Sequence, residues 1–157
     1  MPLLDQPPPG YRALRRGRAS LHGQMYLVTF VTPGRQRWFA EWEAARSACR
    51  ALVDPRSWRQ SKLLAWVLMP DHCHVLLELG EGDELCRLVN RLKSHSARRL
   101  RCEGVVGGRV WADGFHDRAL RRDECLVEAA RYIVLNPVRA GLVRRVGDYP
   151  YWNAVWI

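Results

Sequence analysis

Lysine is nearly absent from this sequence, and acidic residues are few. Of the 25 basic residues, 23 are arginine, and the two lysines are Lys62 and Lys93. With 16 acidic residues, the 157-residue chain carries a formal net charge of +9 at pH 7. This excess indicates a polyanionic partner, most often nucleic acid, and no small-molecule substrate is expected. Arginine suits phosphate because its guanidinium group donates parallel hydrogen bonds and also stacks on bases.

The sequence also lacks a membrane-length apolar run, a secretory leader and a paired-cysteine motif. The longest apolar run, Leu63–Met69, is too short to cross a bilayer. The first residues contain no apolar segment followed by a cleavage site. The five cysteines are scattered without a C-x-x-C pair, which disfavours a zinc site or a disulfide framework. We therefore expect a cytoplasmic protein with reduced thiols and no membrane association.

Length and composition favour one folded domain preceded by a basic arm. Hydrophobic residues make up 48% of the chain, which is enough for a packed core. The first residues contain the Pro7–Gly10 run and then an arginine cluster, in a segment that has few apolar side chains to bury. This segment is either a solvated tail or an arm that lies along phosphates and orders on binding. We expect an arm over residues 1–24, with Arg12, Arg15, Arg16 and Arg18 as candidate DNA contacts, and a single domain over residues 25–157.

Hydrophobic patterning predicts four strands and three helices. Runs of β-branched and aromatic residues indicate strands, whereas apolar residues at helical spacing indicate amphipathic helices. Pro70–Asp71 predicts a tight turn between the second and third strands, and Pro137 is expected to end the last helix. The predicted strands are Met25–Thr32, Leu63–Met69, His72–Leu79 and His116–Leu120, and the predicted helices are Trp42–Leu52, about Glu84–Arg101 with Asp83 as N-cap, and about Asp123–Asn136 with Asp123 as cap.

This order of elements, βαββαβ followed by a helix, predicts an α+β fold. It is the order of a ferredoxin-like antiparallel sheet with helices on one face, to which the last helix is an addition at the C-terminal side. The residues after Gly141 are expected to be irregular and packed down by aromatic side chains. Because many unrelated functions share this fold, the order of elements does not by itself assign an activity.

His72 and His74 form the first candidate site. Side chains alternate faces along a strand, so these two imidazoles point the same way, while Cys73 and Val75 point into a core. Two imidazoles one pleat apart can share a metal ion, provided that a third ligand comes from elsewhere in the fold. The pattern is equally compatible with two surface histidines on a half-exposed strand.

Tyr132 and Asn136 form the second candidate site. They are four residues apart, which places both on one face of the last predicted helix. A phenol on an exposed helix face can be a nucleophile if a metal or arginines stabilise its oxyanion, and the Asn136 carbonyl oxygen can be a ligand. A single helical tyrosine can equally be an ordinary residue at the edge of the core.

In combination, these motifs resemble those of REP-associated tyrosine transposases, members of the HUH superfamily of single-strand DNA nucleases. The resemblance extends over roughly Arg12 to Tyr151, nearly the whole chain. One departure is Cys73, which stands between the two histidines where the family has a hydrophobic residue; a buried cysteine behaves as a small hydrophobe. The matching segments, in the family's order and spacing, are VLMPDHCHVLLEL at Val67–Leu79, LKSHSARRL at Leu92–Leu100, VWADGFHDRALRRDE at Val110–Glu124 and ARYIVLNPVRAGLV at Ala130–Val143.

The resemblance implies roles for the candidate residues. His72 and His74 would be metal ligands, Asn136 the third ligand, and Tyr132, on the additional C-terminal helix, the catalytic nucleophile. The implied cofactor is Mg²⁺ or Mn²⁺. The implied reaction cuts and rejoins single-stranded DNA at REP-type palindromic hairpins through a 5′-phosphotyrosine intermediate. The REP-associated group is expected to act as monomers rather than dimers.

Arginine clusters predict where DNA would bind. For any single residue a solvated surface position is an equally good interpretation, so the prediction applies to the cluster. The candidates in the folded domain are Lys93, Arg98 and Arg99 on the second helix and Arg118, Arg121 and Arg122 beside the fourth strand.

Two other functions are compatible with parts of the pattern. A non-catalytic ferredoxin-like nucleic-acid-binding module would share the basic surface, but it would present aromatic residues on its central strands, which the third strand lacks. A rolling-circle nickase or relaxase would share the histidine pair and the tyrosine, but such proteins usually carry further domains, for which 157 residues leave no room.

Overall fold

A five-stranded antiparallel sheet is the centre of the computed structural model, which describes residues 23–157. The predicted arm, including its four arginines, lies outside the described residues except for Gly23 and Gln24. In chain order the strands are β1 (Met25–Val31), β2 (Lys62–Met69), β3 (His72–Glu78), β4 (His116–Ala119) and β5 (Trp152–Ala154). Across the sheet their order is β4-β1-β3-β2-β5.

The helices connect and cover these strands. In chain order they are α1 (Trp42–Leu52), α2 (Pro55–Trp58), α3 (Leu85–Cys102), α4 (Leu126–Val134) and α5 (Asn136–Arg139). Short 3₁₀ turns lie at Pro33–Arg35, Trp38–Ala40 and Val146–Asp148. Within residues 23–157, none of these helices has the length and apolar character that a membrane span requires.

The β2–β3 hairpin forms as predicted. Met69 pairs with His72 across the Pro70–Asp71 turn. Thr32, just after β1, holds this turn in place: its backbone N–H and its hydroxyl both donate to the Asp71 carbonyl, at 2.9 and 3.1 Å. The hairpin turn is therefore hydrogen-bonded to the end of β1, which fixes the backbone position from which His72 begins β3.

One face of the sheet packs against α1 and α3. Cys73, Val75 and Leu77 of β3 point into this layer, where Leu88 and Leu92 of α3 are fully buried. An aromatic cluster closes the layer near the hairpin turn: the rings of Phe30 and Trp111 meet edge to face with centroids 4.6 Å apart, and Phe39 packs beside them. Trp111 is thus a core residue.

The other face of the sheet packs against α4. Ile133, which is fully buried, is the centre of this layer and contacts a second apolar cluster that includes Val67 of β2 and Leu76 of β3. Side chains alternate along β3, so His72 and His74 share the face of Leu76. The histidine pair and α4, which carries Tyr132, therefore lie on the same side of the sheet.

The predicted α+β class and ferredoxin-like strand order are confirmed, with four corrections. Helices cover both faces of the sheet, because α4 has its own apolar stripe. The segment after Gly141 is not wholly irregular, since β5 pairs with β2. Asp83 is not the N-cap of α3: Glu84 holds that position, and the Asp83 carboxylate instead binds the Arg91 guanidinium at 2.6 Å.

The fourth correction concerns the last helix, which was predicted to run continuously to Asn136. It begins only at Leu126, so Asp123 does not cap it, and it ends at Val134; α5 then starts at Asn136 with Pro137 in its first turn. Proline has no N–H to donate to the carbonyl four residues earlier, but it fits the first turn of a helix, where that donor is not needed. Pro137 therefore begins a new helix rather than merely ending the old one.

Candidate active site

The two histidines of β3 converge through their Nε2 atoms. These atoms are 3.1 Å apart, and the rings are nearly perpendicular with centroids 4.8 Å apart. Each Nδ1 atom has its own partner: that of His72 lies 2.6 Å from Asp71 Oδ1, and that of His74 lies 2.7 Å from Thr29 Oγ1. Both rings are thus oriented by neighbouring side chains, as metal-binding histidines commonly are.

The Asp71 contact fixes the tautomer of His72. A carboxylate only accepts hydrogen bonds, so His72 Nδ1 carries the proton and donates it. His72 Nε2 then presents a lone pair towards His74 Nε2. At 3.1 Å this lone pair requires a proton or a cation between the two nitrogens. The donor set therefore fits a divalent cation, and it also forms a simple hydrogen bond without one.

Burial keeps both imidazoles neutral at physiological pH. The pKa of His74 is lowered to about 3, chiefly by loss of solvation and then by the charges of His72, Arg139 and Arg35. Burial also lowers the pKa of His72, although its hydrogen bond to Asp71 opposes the shift. Neutral imidazole is the form that binds metal ions, so the local environment favours ligation over positive charge.

Asn136 presents an amide oxygen at the start of α5. Its Nδ2 donates to the Ile133 carbonyl at 2.9 Å. That carbonyl would accept the N–H of residue 137 in a continuous helix, and Pro137 has none. Because Nδ2 is used in this way, Oδ1 is the remaining ligand atom. Within residues 23–157 there is no cluster of three or more His, Cys, Asp or Glu that could hold a metal.

Tyr132 lies on the solvent side of α4, and 60% of it is exposed. The guanidinium group of Arg139 stacks on its ring, with Cζ 4.3 Å from the ring centroid. Arg139 Nη2 also donates to the backbone carbonyl of Tyr132. The exposed phenol therefore has a defined cationic neighbour.

Two arginines that were not predicted flank the histidine pair. Arg139 and Arg35 each contribute to the lowered pKa of His74, and Arg35 also forms an ion pair with Asp71 at 3.7 Å. Arg35 reaches this position from the turn after β1, where it has a φ of 55° and follows Gly34 with a φ of 57°. No local pattern marks Arg35, Asp71 or Thr29 in the sequence, although Asp71 is adjacent to His72.

Most of the predicted DNA-binding residues in the domain have partners within the protein. Lys93 Nζ donates to the Ala112 and Gly114 carbonyls at 2.7 and 2.8 Å. Arg99 pairs with Glu103 at 2.9 Å. Arg118 binds both carboxylate oxygens of Glu124, and Arg121 lies 3.6 Å from the same group. Arg122 is exposed.

Arg98 occupies a different environment, on the outer face of α3. It is exposed and borders two open cavities of about 470 and 390 Å³, one towards α2 and one towards residues 109–113. These cavities lie across the sheet from the histidine pair, because α3 covers the opposite face. Four arginines that are not among the predicted DNA contacts share the first cavity with Arg98: Arg56, Arg59, Arg87 and Arg91.

Comparison with known proteins identifies the family. The family model of transposase, IS200-like, matches residues 20–133. The REP-associated tyrosine transposase of Escherichia coli K12 is 28% identical over 101 residues, which cover 64% of this chain and 59% of the relative. A Haemophilus influenzae protein provisionally given the same name is 32% identical over 98 residues, or 56% of each chain. The chain thus spans less than two thirds of either relative.

A solved structure shows the same similarity in three dimensions. It is described as the REP-associated tyrosine transposase bound to a REP hairpin, and it superimposes with a TM-score of 0.67 at 25% identity, covering 86% of this chain and 79% of that one. The resemblance to REP-associated tyrosine transposases is therefore confirmed. Because the family model matches well over half of the sequence, the chain belongs to the IS200-like transposase family.

Proposed function

We propose that this protein is a metal-dependent single-stranded DNA endonuclease and strand transferase that acts on REP-type palindromic hairpins through a 5′-phosphotyrosine intermediate. The observation that carries the proposal is the pair of neutral imidazoles with Nε2 atoms 3.1 Å apart, on the sheet face that is covered by α4, the helix of Tyr132. Family membership and the similarity to a hairpin-bound relative support it. We further propose that the protein acts as a monomer in the cytoplasm.

In this proposal, His72, His74 and Asn136 Oδ1 would hold Mg²⁺ or Mn²⁺. When bound, such an ion supplies Lewis-acid polarisation of a phosphoryl oxygen. Asp71 and Thr29 keep the imidazoles turned towards the ligand position through their Nδ1 contacts. The chain's own contribution is therefore a pair of imidazoles whose orientation is set before the ion binds.

Tyr132 would perform the covalent step. Its Oη attacks the scissile phosphorus and forms a P–O bond while the P–O3′ bond breaks. The phenolic proton is lost, and the departing 3′ oxygen gains a proton. The reverse reaction with a free 3′-OH restores the tyrosine and transfers the strand without ATP. The guanidinium groups of Arg139 and Arg35 add positive charge beside this site, where the phosphate gathers negative charge.

The basic residues would hold the DNA. Arg98 and its neighbours border cavities on the α3 side, whereas the histidine pair lies on the α4 side. A strand that contacts both must therefore pass around an edge of the sheet, and β4, which carries Arg118, is one such edge. The proposed contacts remain Arg12, Arg15, Arg16, Arg18, Lys93, Arg98, Arg99, Arg118, Arg121 and Arg122.

The test is covalent trapping. The protein is incubated with an end-labelled REP-type hairpin bearing a single-stranded flank and Mn²⁺, then separated on a denaturing gel. We expect a shifted adduct that EDTA abolishes and that is absent from Tyr132→Phe and His72→Ala. Tyr151→Phe is the matched control, because the Tyr151 ring packs against Trp42 and Tyr149, and it should react normally.

An adduct formed by Tyr132→Phe would exclude Tyr132 as the nucleophile. Tight hairpin binding by the wild-type protein without any adduct, in Mg²⁺ and in Mn²⁺, would instead favour the non-catalytic binding module. The arginine-lined cavities on α3 lie apart from the histidine pair and would allow such binding on their own.

A further inference from the structure

Arg139 is a cation with no carboxylate partner in the described part of the chain. Most other exposed arginines near α4 pair with acids, as Arg131 does with Glu128 and Arg145 with Asp148. Arg139 instead places its guanidinium on the ring of Tyr132 and donates one N–H to the Tyr132 carbonyl. Guanidinium has five donors, so most of them remain available to another acceptor.

The backbone of α5 fixes where Arg139 lies. The Arg139 N–H donates to the Leu135 carbonyl at 3.0 Å, which joins α5 to the end of α4. Gly141, with a φ of 72°, ends the short helix, and the next N–H, of Leu142, donates to the Pro137 carbonyl at 2.9 Å. The left-handed conformation at Gly141 is one that glycine adopts without strain. The side chain of Arg139 therefore extends from a segment that is hydrogen-bonded at both ends.

Arg139 contacts the tyrosine and carries a charge that acts on the histidine pair. Its guanidinium stacks on the Tyr132 ring, and its positive charge is one of those that lower the pKa of His74. The other charged groups that face the pair are Arg35 and Asp71, and these two form an ion pair with each other. Arg139 is therefore the cation that lies on the Tyr132 ring without a counter-charge of its own among residues 23–157.

We propose that Arg139 is a further catalytic residue, which holds the Tyr132 ring and offers its unused N–H groups to an anionic phosphate oxygen beside it. This inference rests on the proposed function and adds a residue to it. A stacked guanidinium restricts the rotamers of an exposed tyrosine at little cost in solvation. The same group meets the charge that develops on the phosphate during attack, where one preorganised donor typically changes the rate by a factor of 100 or more.

The experiment separates rate from binding. Single-turnover adduct formation is measured with Mn²⁺ over a range of hairpin concentrations for the wild-type protein, Arg139→Gln and Arg139→Lys. We expect Arg139→Gln to lower the maximal rate by at least about 10-fold, with the half-saturating hairpin concentration changed by less than about threefold. Arg139→Lys should fall between Gln and wild type, because it keeps the charge but loses the planar stack.

Arg131→Gln is the matched control. It removes one exposed arginine from α4, the helix of Tyr132, changes the net charge equally, and should react at the wild-type rate. The inference is overturned if Arg139→Gln reacts at the wild-type rate, if Arg131→Gln shows the same loss, or if the whole effect lies in hairpin affinity. If the Gln variant does not fold, the Lys variant decides: a wild-type rate overturns the inference and a reduced rate supports it.

Failure of the proposed function gives a different result. In that case the wild-type protein forms no adduct at all, whatever residue occupies position 139. If the wild-type protein reacts and the Arg139 variants react equally well, only the role of Arg139 is wrong.

Discussion

Asp71→Asn is expected to weaken divalent metal binding without disturbing the fold. The Asp71 carboxylate accepts from His72 Nδ1 at 2.6 Å, and the two side chains are only 23% and 18% exposed. Asparagine has nearly the same shape, and its side-chain oxygen can still accept this hydrogen bond. The substitution therefore removes the negative charge behind the imidazole while leaving the ring oriented.

The size of the effect follows from this lost charge. A hydrogen bond to a charged group contributes about 1.5–3 kcal/mol, compared with about 1 kcal/mol for a neutral pair. The difference, about 0.5–2 kcal/mol, includes the roughly 1.4 kcal/mol of a tenfold change in affinity, which is the lower end of the 10- to 100-fold loss typical for groups that support metal ligands. The ion pair with Arg35 adds little, because the Arg35 side chain is 58% exposed.

Isothermal titration of Mn²⁺ into the protein measures this effect. We expect about tenfold weaker binding for Asp71→Asn and no binding at this site for His72→Ala. Asp148→Asn is the control, because Asp148 pairs only with the exposed Arg145 among the described residues, and it should bind as the wild type does. An unchanged affinity in Asp71→Asn, with binding lost in His72→Ala, would refute the proposed support of His72 by Asp71.

Three further predictions test other parts of the structure. Ile133→Ala should destabilise the domain by about 2–4 kcal/mol, seen as a lower melting temperature, whereas exposed Leu135→Ala should cost less than about 0.5 kcal/mol. Cys86, Cys102 and Cys125 should react with a thiol reagent in the native protein at pH 8. Buried Cys73 and half-buried Cys49 should react only after denaturation, since desolvation raises the pKa of Cys49 to about 12 and that of Cys73 well above its usual range. Arg98→Gln should weaken the binding of single-stranded oligonucleotides of unrelated sequence to the same degree. It should also lower the slope of log affinity against log salt concentration by about one or less, whereas Arg145→Gln should leave that slope unchanged. Equal slopes for the two variants would exclude Arg98 from the DNA-binding surface.

The sequence predicted that the two histidine side chains share a face, but not which groups orient their rings. Strand alternation alone placed His72 and His74 on one face. The two rings are oriented by residues at different distances along the chain. Asp71, which orients His72, is its neighbour in the sequence. Thr29 reaches His74 only because β1 and β3 pair with these two residues opposite each other. Such a register is a property of the whole sheet and not of the local sequence, so the support of the second ring could not be anticipated.

The hydrophobic pattern predicted α1 correctly but did not reveal β5. α1 follows its prediction residue for residue, since its apolar spacing and buried alanines extend over three turns. β5 was missed because three residues are too few for an alternating pattern to be recognised. Its place in the sheet comes from pairing with β2, which brings Asn153 opposite Trp66.

The break between α4 and α5 shows how a local signal can have consequences at the candidate site. In a continuous helix, seven residues would separate Arg139 from Tyr132 by about 10.5 Å along the axis. Pro137 removes one backbone donor, the helix ends at Val134, and Asn136 supplies the missing hydrogen bond to Ile133 from its side chain. This leaves Asn136 Oδ1 as its remaining ligand atom and allows Arg139 to fold back onto the Tyr132 ring. The proline was recognisable in the sequence as a helix breaker; that Asn136 compensates for its missing donor and that Arg139 lies on the Tyr132 ring follow only from the geometry.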